Sequence, residues 1–592
     1  MNVPLHSSNW SPARASPVVR QRQLDQEACA RLRAGGVHPV LARILAARGV
    51  RDTADMDEGL AGLIPPAQLQ NMASAAALLA NAIQANKKCL VVADFDADGA
   101  TACAVAVRGL RRFGARVDYL VPDRFEFGYG LTPALVAHAA KQHAHDPIDL
   151  IITVDNGISS IAGVQAAQSL GMQVLITDHH LPGLTLPDAL IVNPNLPTCP
   201  FPSKHLAGVG VMFYLLLGLR AHLRESDHFA GQPMPRLDDL LPIVALGTVA
   251  DVVKLDANNR RLVRQGLQRL RKGNSFPGMN ALFQVANLDA RAATTTHFGF
   301  AIGPRLNAAG RLRDMSIGIR CLLTDDHDEA FALAAELDQL NRERREIEAD
   351  AREQAERLAH DILQTSRIND HQHYSIVLHD PDWHPGVVGL IAGRLKESFH
   401  RPVIIFSDDR QDDQIKGSCR SIPGVHIRDV LERIDTRHPG LIRAFGGHAM
   451  AAGLTLAKNQ LEEFRHLFEQ TVAEFASPED LHQVIETDGP LDASAMRLDL
   501  ALMLSQQIWG QGFPAPIFVN QFQVISQRRL KERHLKLLLS HTDGSRPGPA
   551  KVDAIWFNAP QDLGPTASLA YRLAVNDWQG QSSVQLEVVG LA

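Results

Sequence analysis

A chain of 592 residues is too long for one hydrophobic core, and roughly two to four domains are expected. With 45% hydrophobic and 21% charged residues the composition is that of an ordinary globular protein, and a formal net charge of −6 excludes a uniformly basic nucleic-acid coat, though not a local basic groove. The six cysteines stand singly with no CxxC pair, which excludes a disulfide framework or a zinc ribbon and suits a reducing compartment.

The opening MNVPLHSSNWSPARASPVVR has no apolar h-region, so no secretory signal is expected. The longest apolar run, Leu206 to Leu219, falls short of the roughly 20 residues that span a bilayer and reads as a buried helix. A soluble, cytoplasmic protein with no membrane contact is the expectation.

Residues 1–80 read as a helical segment, Ala-rich towards its end around Ala73 to Ala85. From Lys88 short Val- and Ile-rich runs alternate with helical stretches: CLVVAD (89–94), RVDYLVP (116–122), DLIITVD (149–155), QVLITD (173–178), ALIVNP (189–194) and PIVALGTVAD (242–251). Continuous apolar strands separated by helices predict a parallel sheet covered on both faces, over 81–326. The stretch 327–366 opens with a long run free of Gly and Pro. About 38 residues at roughly 1.5 Å each make a rod of about 57 Å. A connector between domains is the favoured reading, because its charged middle, NRERREIEADAREQAER, has too few apolar heptad positions for a coiled coil. A second α/β unit follows over 367–460, with SIVLHD (375–380), HPGVVGLIAGRL (384–395) and GGHAMAAGLT (446–455). In 461–592 the runs IFVNQFQVIS, HLKLLLSH, KVDAIWF, LAYRLAVN and SSVQLEVVG, broken by turns such as HTDGSRPGP, predict a small β-barrel of OB type.

Four of the predicted strands end in acidic or imidazole groups: Asp94, Asp96 and Asp98 in DFDADG; Asp155 in DNG; Asp178, His179 and His180; and Asp251. In doubly wound sheets the site lies outside the carboxyl ends of the strands, so these residues are expected to converge. A lone DxDxD could be an acidic turn, but three carboxylates within five residues repel each other unless cations neutralise them. Asp94, Asp96, Asp98, Asp155, His179 and Asp251 are the expected ligands, and carboxylate oxygens with one imidazole suit two ions of Mn²⁺ or Mg²⁺. Asp155, after a strand next to the first, is the expected bridge. Such a pair suits in-line attack of water on phosphorus. Asp178 is expected to orient His179 from behind. His180 is expected either to meet the scissile phosphate or to protonate the leaving group, the alternative being a packed, hydrogen-bonded histidine.

In this order and spacing DFDADG, DNG, DHH and GTVAD resemble the four motifs of the DHH phosphoesterase superfamily. PDRFEFGYGLT (122–132), GPRLNAAGR (303–311), HPGVVGLIAGRL and GGHAMAAG are similar to segments of its bacterial branch of single-strand-specific exonucleases. The resemblance implies a DHH domain joined to a DHH-associated domain, and 5′→3′ degradation of single-stranded DNA to mononucleotides in recombination and repair. It also implies single-strand-binding protein and a helicase as partners, and a monomer is expected. Some relatives carry a His four residues before the second carboxylate, where this chain has Val92; Asp94 is expected to compensate.

For substrate handling, Gly446, Gly447 and His448 can bring backbone N–H groups and an imidazole to a phosphate. Arg305, Asn307, Arg311 and Arg420 are candidates for successive phosphates, surface ion pairs being the alternative. Arg124 and the aromatics Phe125, Phe127 and Tyr129 lie in a glycine-containing loop beside the expected crevice, where rings either stack on bases or pack in the core. The basic runs 260–272 and 527–536 either track a strand of nucleic acid or form solvated faces, the latter favoured for 260–272. Two other readings stay open. One is a phosphoesterase for small substrates, whose members lack the barrel and long connector; the other is a scaffold that has lost its ligands.

Overall fold

The computed structural model describes residues 17–123, 126–368, 373–409, 413–541, 551–578 and 580–592. The candidate residues Arg124 and Phe125 lie outside the described residues, as does the turn sequence after His541. The chain divides into two compact units. One comprises Val50–Glu343 and Gln506–Ala515; the other takes the chain up to Gly49, Arg344–Ser505 and Pro516–Ala592. These units cut across the segments read from sequence, dividing the N-terminal segment after Gly49 and the long helix after Glu343.

The N-terminal segment is not wholly helical, because its first described element is the strand β1 (Val18–Gln21). Its positions are mostly exposed, so no hydrophobic pattern marks it; the strand exists because it pairs in parallel with β12 (Val484–Thr487), far along the chain.

In the unit built around Val50–Glu343, the strands β2 (Lys88–Ala93), β3 (Arg116–Leu120), β4 (Leu150–Val154), β5 (Gln173–Thr177) and β6 (Leu190–Val192) form a sheet in the order β3-β2-β4-β5-β6. All its pairings are parallel. Every residue of β4 and all of β2 after Lys88 are buried, as a sheet covered on both faces requires. The helices Ala97–Arg112, Gly208–Glu225 and Leu241–Ala250 pack on one another. The last of these corrects the sequence reading, since PIVALGTVAD is a helix and not a strand. Leu241 through Thr248 are all buried, and an element apolar on every side has no periodicity to tell a core helix from a core strand.

The helix His327–Ile368 is one continuous element. Its Ala351, Ala355 and Ala359 pack with Trp383, Val388 and Ile391 of the second unit. That unit holds β7 (Ile376–His379), β8 (Val403–Asp408), β9 (Gln414–Arg420), β10 (Ile442–Gly447) and β11 (Ala451–Ala457) in the order β10-β11-β9-β8-β7. It also holds a closed barrel of β13 (Phe518–Leu530), β14 (His534–His541), β15 (Lys551–Trp556), β16 (Thr566–Trp578) and β17 (Gln581–Leu591). The parallel-sheet domain, the smaller α/β domain and the barrel are those predicted.

Candidate metal centre

The DFDADG segment folds as a strand-to-helix turn. Asp94 follows β2, and its Oδ1 accepts the Phe95 N–H at 2.8 Å. Asp96 caps the helix Ala97–Arg112, its Oδ1 accepting from the N–H groups of Asp98 (2.9 Å) and Gly99 (3.0 Å). Gly99 is required, because a Cβ there would stand 2.4 Å from the Asp94 carbonyl oxygen. Asp98 points the other way. Its two oxygens accept the N–H groups of Gly208 (2.6 Å) and Val209 (3.0 Å), which open the helix Gly208–Glu225 with donors that have no partner inside it.

Asp155 leaves β4 in the left-handed region at φ +64°, which Asp tolerates better than most residues. Beside it Asn156 ties the strands by donating to the carbonyls of Val92 and Val154, both at 3.0 Å. A Cβ on Gly208 would lie 2.5 Å from Asp155 Cβ, so this glycine makes room for the carboxylate. Asp251 ends the helix Leu241–Ala250 as its C-cap.

Asp98, Asp155 and Asp251 converge on the His179 imidazole. Its Nε2 stands 3.1 Å from Asp155 Oδ1, 3.5 Å from Asp251 Oδ2 and 3.9 Å from Asp98 Oδ2. Three sets of possible ligand atoms each fall within 4.8 Å of one another: Asp94, Asp96 and Asp155; Asp98, His179 and Asp251; and Asp155, His179 and His180. Asp155 belongs both to the set with Asp94 and Asp96 and to the set with the two histidines. His180 enters one set, although the sequence reading kept it off the ligands.

Asp178 departs from its expected task. Its Oδ1 accepts the His180 Nδ1–H at 2.7 Å, together with the backbone N–H groups of His179 (2.7 Å) and His180 (3.1 Å), while Oδ2 accepts from Ile158 N (2.9 Å). The ring it orients is that of His180. The reason is local geometry, since one carboxylate gathers the two amides that follow it and the nearer ring nitrogen. Burial by itself would raise the Asp178 pKa, but the His180 bond and the two histidine charges hold it low. His180 is correspondingly raised to about 9, the Asp178 bond and the neighbouring carboxylates outweighing its burial. Two asparagines that the sequence reading missed fix this loop, Asn195 donating to the His179 carbonyl (2.6 Å) and Asn193 to that of His180 (2.9 Å). Their only signal is NPN at the end of a predicted strand.

The cluster fits cations. Asp155 Oδ1 and Asp251 Oδ2 are buried carboxylate oxygens that accept no hydrogen bond among the described residues. Burial, followed by the charges of neighbouring aspartates, pushes Asp94, Asp155 and Asp251 well above the carboxylate range and Asp98 up to about 7. Positive charge is what such a group lacks at neutral pH, and hard oxygen donors with imidazole suit oxygen-preferring divalent ions.

Tyr129 stands at the edge of the cluster, 46% exposed, edge-on to Phe95 and His180 with ring centroids 6.0 and 6.1 Å away. Phe127 instead packs on His138. On the helix Gly303–Leu312, Arg305 and Asn307 face inward. Arg305 is 8% exposed and paired with Asp338, and Asn307 accepts the Ala97 N–H, whereas Arg311 is partly exposed. Arg305 is thus engaged within the protein through Nε, Nη1 and Nη2, and Asn307 through its side-chain oxygen. The run 260–272 is likewise structural: Arg264 pairs with Glu58, Arg269 with Asp238, and Arg271 donates to the Ala293 carbonyl.

The second unit brings Arg420, Gly446, Gly447 and His448 to one end of its sheet. Arg420 ends β9 opposite Ala451, and Gly447 ends β10 opposite Ala452, so both flank β11. Gly447 adopts φ +142°, and a Cβ there would lie 2.4 Å from Ala452 Cα. Gly446 and His448 are exposed, while the Arg420 guanidinium is partly buried over Gly389 of the HPGVVG segment and donates to the Cys419 carbonyl at 2.7 Å.

Three protein families match the chain, described as the DHH family N-terminal domain over residues 88–248, the DHHA1 domain over 370–474 and the RecJ OB domain over 487–590. A single-stranded-DNA-specific exonuclease RecJ of Dickeya dadantii (strain 3937) is 49% identical over 92% of this chain and 95% of its own length. That of Escherichia coli (strain K12) is 46% identical over 96% and 98%. Among solved structures, RecJ of Thermus thermophilus in complex with Mn²⁺ superposes with a TM-score of 0.79 at 30% identity, covering 97% of this chain and 79% of that one. Its Mg²⁺ complex gives 0.73 at 29% identity, over 97% and 78%. With its parallel-sheet domain, associated domain and barrel all matched and relatives covered along nearly the full length, the chain belongs to the RecJ family of single-stranded-DNA-specific exonucleases.

Proposed function

We propose that this protein is a metal-dependent exonuclease that degrades single-stranded DNA to mononucleotides from the 5′ end by phosphodiester hydrolysis, in DNA recombination and repair. One observation carries the reading. Five aspartates from three chain segments cluster around Asp155 and His179, with the buried oxygens Asp155 Oδ1 and Asp251 Oδ2 left without donors among the described residues. The relatives named above act on single-stranded DNA, and those from Thermus thermophilus take up Mn²⁺ and Mg²⁺.

Asp94, Asp96, Asp98, Asp155, His179 and Asp251 would hold two ions of Mn²⁺ or Mg²⁺, with Asp155 shared. When bound, such ions supply Lewis-acid stabilisation of the phosphate charge and lower the pKa of water. The chain's own part is to place and to proton-manage the substrate. The Gly208 and Val209 amides fix the Asp98 carboxylate, the Asn156 bonds join β2 to β4, and Asp178 holds His180 with its proton on Nδ1. A His180 kept charged above neutral pH supplies a cation for a phosphate oxygen or a proton for the leaving oxygen. Tyr129 offers a ring edge for a base, and Arg124, Arg311, Arg420, Gly446, Gly447 and His448 are assigned to the DNA backbone.

The protein is further assigned to the cytoplasm as a monomer, working beside single-strand-binding protein and a helicase. Its six cysteines are buried and unbridged, and among the described residues no helix is long and apolar enough to cross a membrane. The test is digestion of a single strand labelled at either end, with each metal and with chelator. Release of labelled mononucleotide from the 5′ label first, only with metal, is expected; release from the 3′ label first, or equal digestion of duplex, overturns the assignment.

A further inference from the structure

Asn307 turns its side-chain oxygen towards the DFDADG turn. Its Oδ1 accepts the Ala97 backbone N–H at 2.8 Å. Ala97 is the first residue of the helix Ala97–Arg112 and stands between Asp96 and Asp98. Its N–H has no carbonyl within the helix to receive it. The other first-turn donors are met locally, Asp98 and Gly99 by the Asp96 side chain and Ala100 by the Asp96 carbonyl. Asn307 thus supplies the acceptor for the first-turn N–H that Asp96 does not meet.

Two neighbours tighten the contact. Gly310 approaches the same turn so closely that a Cβ on it would lie 1.8 Å from the Phe95 carbonyl oxygen. Two residues before Asn307, Arg305 grips Asp338 of the long helix through Nε (3.0 Å) and Nη2 (2.8 Å), and donates through Nη1 to the Ala301 carbonyl at 2.7 Å. Between these two contacts the helix Gly303–Leu312 is held at one end by the long helix and bears on the DFDADG turn at the other.

We infer that the helix Gly303–Leu312 is a brace for the metal-holding turn, and that Asn307 is a positioning residue acting through the Ala97 N–H rather than a contact to DNA. The inference rests on the metal reading above. The chemistry of the residue supports it. Asp94, Asp96 and Asp98 crowd three carboxylates into the turn, and a side-chain oxygen from outside it meets the Ala97 N–H that they leave. Holding the ligands in place before the ions arrive is the office of groups behind a metal site, whose loss weakens metal binding about 10- to 100-fold.

The experiment compares the full chain with its Asn307→Leu and Asn307→Asp variants. Mn²⁺ binding is measured by calorimetry without DNA, and binding of a fluorescent single strand by anisotropy in chelator. Asn307→Leu, which removes the acceptor, is expected to weaken Mn²⁺ binding about 10- to 100-fold and leave DNA binding within about twofold. Asn307→Asp, which keeps the acceptor, is expected to hold Mn²⁺ within about threefold of the parent, a rescue that general loss of packing would not give. If the leucine variant does not fold, Asn307→Ala removes the same acceptor without bulk and is read in the same way. Loss of DNA affinity with unchanged Mn²⁺ binding, or equal weakening of Mn²⁺ binding in the Asp and Leu variants, overturns the brace. Failure of the parent chain to bind Mn²⁺ overturns the metal reading itself, and is seen before any variant is compared.

Discussion

Removing divalent ions should make the stability of this protein fall as pH rises, and Asp98 shows by how much. In the folded chain its carboxyl is pushed from 3.8 up to about 7 by burial and then by the charge of Asp96. Between these values the folded state binds a proton that the unfolded state has released, so stability decreases with increasing pH throughout that window. The full span is worth on the order of 4 kcal/mol at 1.36 kcal/mol per unit. About 2–3 kcal/mol of it falls between pH 5 and pH 8. Asp94, Asp155 and Asp251, also raised by burial and mutual repulsion, act in the same direction. His180, raised to about 9, stabilises the fold below its unfolded value near 6.5, and this contribution is lost as pH climbs through 9, again with the same sign. For a unit of this size the Asp98 share alone corresponds to a melting-temperature drop of about 3–5 °C. Differential scanning fluorimetry in chelator from pH 5 to 8 measures it, and repeating the scan with excess Mn²⁺ should flatten or invert the slope. A melting temperature that rises with pH in chelator, or slopes that coincide with and without Mn²⁺, would refute this account of the cluster.

Asp155→Asn keeps a side chain that tolerates φ +64° but removes the shared charge, so nuclease activity should fall more than about 100-fold while far-ultraviolet circular dichroism stays that of the parent. Asp178→Asn withdraws the carboxylate that holds His180 charged; turnover on single-stranded DNA should drop about 10- to 100-fold, and the loss of activity at high pH should begin at lower pH than in the parent. An unmoved alkaline limb would remove His180 from the proton chemistry. Gly208→Ala places a methyl group 2.5 Å from Asp155 Cβ, and the strain, about 1–3 kcal/mol, should appear as a lower melting temperature together with weaker Mn²⁺ binding. Arg48→Ala strands the buried Asp488 carboxylate of the barrel-containing unit, costing about 3–5 kcal/mol in urea unfolding, with Mn²⁺ binding unchanged.

The sequence by itself determined the chemistry and most of the frame. Continuous apolar runs marked β2, β4 and β5 as central parallel strands, and acidic groups at their carboxyl ends marked one crevice. Spacing in the tail was enough to foresee five barrel strands, because alternation and turn residues are written locally. What only the tertiary structure decided were the choices among partners. Asp251 arrives on a helix, since a run buried on all sides looks the same as strand or helix until its packing is known. Asp178 bonds the ring of His180 rather than that of His179, and Asp98 finds the free amides of Gly208 and Val209, because hydrogen bonds are settled by proximity in space. β1 forms only on meeting β12. Arg305 and Asn307 carry the residue types of a phosphate site, yet their side chains turn inward to Asp338 and to the Ala97 amide. Residue type fixes which bonds a side chain can make; the fold alone fixes which groups are near enough to make them.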